Sequence, residues 1–168
     1  MRRAARLLAA LLLTLGVVTA PAQADAPAAS EATHFYPADA DGASVLAAAL
    51  AEAAAQGRVA VIVFGADWCR DSRALARTLT SDAFRSEFGG RYSVTFIDVG
   101  KPQTGNGRNL DLVARFGVKK LKSTPALFLI SPRGKRINTR KDAIGWRNAD
   151  SRGEAAILEW FRAAAAQR

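Results

Sequence analysis

Trp68-Cys69-Arg70-Asp71-Ser72 holds the one cysteine of a 168-residue chain and follows directly on the apolar run Val59 to Phe64. A strand that hands a cysteine to the first turn of a helix favours the thiolate, because unpaired backbone N–H groups and the positive end of the helix dipole face the sulfur. Arg70 and Arg73 act in the same direction, Asp71 opposes them as a nearby anion, and Ser72 offers one O–H donor to the sulfur. This is a layout for nucleophilic thiol chemistry. The position three residues on is Ser72, so the second sulfur of a two-thiol exchange site is missing and no internal disulfide can form.

Free cysteine is among the most buried residue types, and often it only packs. Here it opens a charged turn of Arg70, Asp71 and Arg73, which is a poor setting for a buried thiol. No other constellation competes with it. His34 is the single histidine and stands far from Cys69, so no metal ligand set is expected. Gly105-x-Gly107 lacks the remaining glycine and the strand and helix context of a phosphate loop, so no cofactor is expected either.

The elements that must position Cys69 are legible on both sides of it. Val45, Leu46, Ala49, Leu50 and Ala53 recur at helical spacing after Asp41, a capping residue, and before Gly57, a helix stop. Val59 to Phe64 reads as a strand buried on both faces. A helix from Arg70 to about Leu79, a strand from Tyr92 to Val99 and a helix from Asn109 to Phe116 follow, with a turn-rich loop over Gly100 to Gly107. Thr124-Pro125 precedes the apolar strand Ala126 to Ile130, and the turn Ser131-Pro132-Arg133-Gly134 leads to an antiparallel partner near Arg136 to Thr139. Ser151 caps a last helix carrying Ile157, Leu158, Trp160 and Phe161. Asn138 to Gly153, with Arg140, Lys141, Trp146 and Arg147, reads as a solvent-exposed connector.

The beginning of the chain supplies a compartment. Arg2, Arg3 and Arg6, an apolar segment from Leu7 to Ala20, and Ala22-Gln23-Ala24 match a secretory signal peptide over residues 1–24. The apolar segment is shorter than the roughly 20 residues that span a bilayer, so no stable membrane span is expected after cleavage. Residues 25–40 are rich in Ala and Pro and read as a poorly ordered leader, with His34 an exposed linker residue. Residues 41–168 form one domain.

The formal charge is +9, and removing the three leader arginines leaves the chain basic. The charges are spread without a nucleic-acid motif, and nucleic acid is not an expected partner after export. In an oxidising compartment, a lone thiol implies an intermolecular partner or a reactive group.

The element order, with strand-Trp-Cys-x-x-Ser-helix early and Thr-Pro before a later strand, resembles the thioredoxin superfamily. The resemblance covers about residues 41 to 165 and is most specific at Phe64-Gly-Ala-Asp-Trp-Cys69, Phe96-Ile-Asp98, Arg115-Phe-Gly-Val118 and Thr124-Pro-Ala-Leu127. It implies an α/β thioredoxin-like fold with a central mixed sheet of four or five strands flanked by helices, and a cis bond between Thr124 and Pro125. It also implies that Trp68, Thr124 and Pro125 bind an extended client peptide beside the sulfur.

Two departures from the family pattern bear on mechanism. Ser72 cannot attack a mixed disulfide, and Val63 stands where many members of the family carry a buried carboxylate that serves the resolving thiol. What remains is monothiol exchange, with Cys69 and Ser72 as catalytic residues and Arg70 and Asp71 modulating them. The partners are then protein clients with disulfides or oxidised thiols, and an external thiol or thiol reductase for release. The localisation implied is periplasmic. A different class of function uses the same fold to hold extended peptides as a chaperone or adaptor, with Cys69 incidental or a tether.

Overall fold

The computed structural model describes residues 33–166, so the signal peptide expected over 1–24 and the first part of the expected leader lie outside the described residues. Helix α1 spans Gly42–Ala55, strand β1 Val59–Gly65, α2 Arg70–Leu79, α3 Asp82–Phe88 and β2 Tyr92–Asp98. The short strands β3, Gly100–Lys101, and β4, Asn106–Gly107, flank a single 3-10 turn, and α4 Leu110–Arg115, β5 Ala126–Ile130, α5 Arg140–Ile144 and α6 Ala149–Ala166 complete the order. Among the described residues no helix is long and apolar enough to cross a membrane.

β1 is the middle strand of the central sheet, parallel to β2 and antiparallel to β5, in the order β2-β1-β5. Side chains alternate across it with the period of two that a strand imposes. Val61 and Val63 enter a core with α2, α3 and α6, whereas Ala60, Ile62 and Phe64 enter a second core with α1 and α4. Burial on both faces is why this strand is a continuous apolar run with no polar residue. Val63 is fully buried in the first of these cores.

The central sheet has three strands among the described residues, fewer than the four or five expected. The turn at Ser131–Gly134 does form, with Gly134 at φ 75° and its amide donating to the Ser131 carbonyl at 2.8 Å. The partner beyond it is reduced to a bridge between Ile130 and Arg136 and a bond from Ile137 N–H to the Leu129 carbonyl. Asn138 then takes the place of further strand. Its side-chain oxygen accepts from Leu129 N–H and its amide nitrogen donates to the Leu127 carbonyl, both at 2.9 Å, so one side chain satisfies the edge of β5.

Side-chain caps start three of the helices. Asp41 accepts from Ala43 N–H at the start of α1, as its sequence position implies. Helices α3 and α5 lie outside the expected elements, although each carries a legible signal. Ser81 accepts from Phe84 N–H, and Thr139 and Asp142 form a reciprocal capping box. α6 begins at Ala149, ahead of the expected cap at Ser151, and its course is interrupted at Gly153, φ 73°.

Two expectations are corrected by packing. The connector over Asn138 to Gly153 is not solvent-exposed throughout: Ala143 and Trp146 are buried, and the Trp146 ring meets Trp160 edge-on with centroids 4.9 Å apart. The last part of the expected leader is docked, because Tyr36 is only 2% exposed and packs edge-on against Phe96. Burial of the Tyr36 ring, together with the hydrogen bonds that this segment makes to Asp67 and Ser72, opposes the chain entropy lost on docking.

Candidate active site

Cys69 is the N-cap residue of α2, with extended backbone angles, and is half-buried. Its side chain makes no capping bond to the helix. The thiol instead donates to the main-chain oxygen of Thr124, Sγ to O 3.6 Å. Strand pairing produces this meeting. Phe64, near the end of β1, stands opposite Ala126, the first residue of β5. The loop after β1 and the segment before β5 therefore emerge side by side at one edge of the sheet, bringing together residues 55 positions apart.

The Thr124–Pro125 peptide is cis, and both residues are buried. Thr124 is 4% exposed, so it meets the sulfur through its main chain, and its hydroxyl has no hydrogen-bond partner among the described residues. Trp68 is the contrasting neighbour. It is 45% exposed, its indole N–H donates to the Gly100 carbonyl at 2.9 Å, and its ring is left open to solvent. Trp68 and Ile137 are the exposed large hydrophobic residues among those described.

Ser72 lies in the first turn of α2 and has no solvent exposure. Its hydroxyl is unpartnered among the described residues, while its main-chain carbonyl accepts from the Tyr36 phenol at 3.1 Å. A buried hydroxyl without a partner is costly, and Ser72 carries that cost three residues after Cys69. Tyr36 holds its proton well above the ordinary tyrosine value: burial is the main cause, the negative charge of Cys69 and Asp67 adds to it, and Ser72 offsets part.

Arg70 and Asp71, expected to tune the sulfur, are engaged with the start of α6. Arg70 Nε lies 3.1 Å from Asp150 Oδ2, on a side chain that is 78% exposed. Asp71 Oδ1 accepts from Asp150 N–H at 3.0 Å and so caps the opposing helix. Arg73 donates to the Asp67 carbonyl in the loop that carries Cys69. Asp98 ends β2 with its carboxylate 3.2 Å from Arg108 Nε and accepting from Gly100 N–H at 2.9 Å. Those contacts give Asp98 a structural engagement.

Sequence reasoning missed Tyr36 and the role of Asp67. The Asp67 carboxylate accepts from Phe35 N–H at 3.0 Å and Tyr36 N–H at 3.3 Å, and His34 Nδ1 lies 3.4 Å away, so the segment before α1 is pinned to the cysteine loop. The signal was the aromatic pair Phe35-Tyr36 in an otherwise Ala/Pro-rich stretch. Among the described residues no group of three His, Cys, Asp or Glu gathers to hold a metal.

A family model described as a thioredoxin-like domain matches residues 46–141, a span that contains Cys69, Ser72, Thr124 and Pro125. The chain belongs to this thioredoxin-like family. The thioredoxin-like chain is also similar to a solved structure described as a disulphide isomerase from Xylella fastidiosa Temecula1. The two are 28% identical, with a TM-score of 0.69, over 79% of this chain and 98% of that one. No curated protein matches the chain. Tyr36 and Asp150 fall outside the span of the thioredoxin-like match, so two of the groups that brace the cysteine loop and α2 are supplied by flanking segments.

Proposed function

We propose that this thioredoxin-like protein is an exported monothiol thiol–disulfide exchange protein acting on protein clients through a mixed disulfide at Cys69. The observation that carries the reading is the half-exposed Cys69 sulfur at a helix N-terminus, 3.6 Å from the Thr124 oxygen, with the buried Ser72 hydroxyl in the helix turn that follows. The similarity to a disulphide isomerase supports the same class of chemistry.

In the forward step the Cys69 thiolate attacks one sulfur of a client disulfide. The client S–S bond breaks, a Cys69–client S–S bond forms, and the second client sulfur leaves as a thiolate. Ser72 has no sulfur with which to break the new bond. Release therefore needs either a different client thiolate, freed when the departing one attacks another client disulfide, which gives net isomerisation, or an external thiol, which leaves as a disulfide after a second equivalent attacks. With a client–glutathione mixed disulfide, Cys69 attacks the glutathione sulfur, the client leaves as a thiol, and a second glutathione frees Cys69 as glutathione disulfide. With a client sulfenic acid, the first attack forms the same Cys69–client bond and releases water.

A peptide-holding function is the second reading, favoured by the open ring of Trp68. The experiment compares wild type with Cys69→Ala in refolding of a scrambled-disulfide client and in suppression of client aggregation. Loss of refolding activity in the variant supports exchange. Equal values for both proteins in both assays favour holding and contradict exchange. Ser72→Cys should add an internal disulfide and reductase activity toward insulin when a reductant is supplied.

A further inference from the structure

The segment 117–123, which links α4 to β5, faces α5 and Arg147 across a cleft of about 620 Å³. Five cations line it: Lys119, Lys120, Lys122, Arg140 and Arg147. No acidic residue does. None of the five forms an ion pair or a side-chain hydrogen bond among the described residues, and all are exposed. The nearby carboxylate of Asp142 is committed to the capping box with Thr139 and lines a different cavity.

Five cations around one cleft repel one another, and a cleft lined by one sign of charge focuses its field on incoming counter-charge. Leu121 and Ile144 supply an apolar floor, and the size falls in the range of ligand-binding clefts. The rim at Ser123 is adjacent in sequence to Thr124, whose carbonyl meets the Cys69 sulfur. One peptide bond therefore joins the lining of the cleft to the residue whose carbonyl meets the sulfur.

We propose that this basic cleft binds an acidic segment of the client protein, holding Glu and Asp side chains on Lys119, Lys122 and Arg140 while the adjoining residues pass Thr124 to Cys69. A peptide fits better than a free anion because the site combines separated cations with an apolar floor and is lined by Ser123, next in the chain to Thr124. Arginine forks and lysine ammonium groups both donate to carboxylates, the lysines as point charges without a fixed geometry. The assignment of the ligand as a client rests on the exchange function proposed above; the binding of acidic peptide does not.

The test uses the Cys69→Ala full chain, so that sulfur chemistry cannot contribute, and a short fluorescein-labelled peptide alternating Glu with Ala, read by anisotropy. The expected result is saturable binding that weakens with added salt, and roughly tenfold weaker binding of the counterpart with Gln in place of Glu. Lys119→Glu/Lys122→Glu/Arg140→Glu should lower the affinity for the Glu peptide by a similar factor. Arg133→Glu/Lys135→Glu, on the turn after β5, should not. Thermal melts of both variants check folding, and Lys119→Gln/Lys122→Gln is a milder substitute should the charge reversal unfold the chain.

Equal binding of the Glu and Gln peptides, or an unchanged affinity in the cleft variants, would overturn the proposal. So would binding to phosphatidylglycerol vesicles, abolished by the cleft variants, with no binding of the peptide. If peptide binding stands while wild type shows no disulfide exchange, the exchange function fails and the cleft assignment survives. If wild type exchanges disulfides while the Glu peptide does not bind, the reverse holds.

Discussion

The phenol of Tyr36 donates to the main-chain carbonyl of Ser72 at 3.1 Å, tying the segment before α1 to the helix that begins at Cys69. Asp67 completes the tie from the other side, through the amides of Phe35 and Tyr36. The cysteine loop is therefore clamped by residues outside the part of the chain that matches the family. Under the proposed exchange function this tie holds the sulfur at a fixed distance from the Thr124 main chain.

Tyr36→Phe removes the bond to Ser72 and keeps the packing, so a loss of about 1 kcal/mol is expected. Tyr36→Ala also removes the buried ring, and a loss of about 3–5 kcal/mol is expected. Urea denaturation of the two variants beside wild type measures both. Equal losses would mean that the ring contributes nothing.

The same phenol makes stability fall in strong base. The unfolded chain releases the tyrosine proton near its ordinary value of 10.0, whereas the folded chain retains it to higher pH because of burial first and the charges of Cys69 and Asp67 next. Above pH 10.0 the folded state then binds more protons than the unfolded state, and stability declines as pH rises toward the folded value. Below pH 10.0 the contribution is complete. The difference in unfolding free energy between wild type and Tyr36→Phe should be constant from neutrality to about pH 9 and shrink by about pH 11.

Gly65 permits the close approach of Tyr36 to β1: a Cβ at this position would stand 2.6 Å from the Tyr36 ring. Gly65→Ala should cost about 1–3 kcal/mol by overpacking. Combined with Tyr36→Ala it should cost less than the sum of the two single changes, because the clash disappears with the ring. Additive losses in a double-mutant cycle would place the cost elsewhere.

The fold was largely legible because its main strand and first helices obey local rules. Val59 to Phe64 has both faces buried, and Asp41 caps α1 as its position implies. Other features depend on partners far along the chain. Nothing local to Asn138 announces that its amide will close the edge of β5 nine and eleven residues away. Nothing local to Asp71 announces a contact with the Asp150 amide, 79 residues on. Of the candidate site, the place of Cys69 at the start of a helix was legible from the apolar run before it and the charged turn after it, while its meeting with Thr124 came from the family resemblance. The site was not legible at Tyr36, whose role arises from a docking that only tertiary packing creates.

Asp71 and Arg70 separate by geometry. Asp71→Ala leaves the first turn of α6 without its cap and should lower stability by about 1 kcal/mol, while Arg70→Ala breaks an exposed pair and should change it by about 0.5 kcal/mol or less. Denaturation midpoints of the two variants decide the order. A larger loss for Arg70→Ala would contradict the capping role.

Intact-mass spectrometry of wild type mixed with a disulfide-linked client peptide, quenched by thiol trapping before and after glutathione is added, follows the sulfur of Cys69 through both steps. Before addition, a single Cys69–client adduct should accumulate, should be absent from Cys69→Ala, and should persist once the departing peptide thiol is removed. After addition, the adduct should disappear and free Cys69 should return. No adduct, or release of client with neither thiol present, would contradict a one-sulfur exchange site.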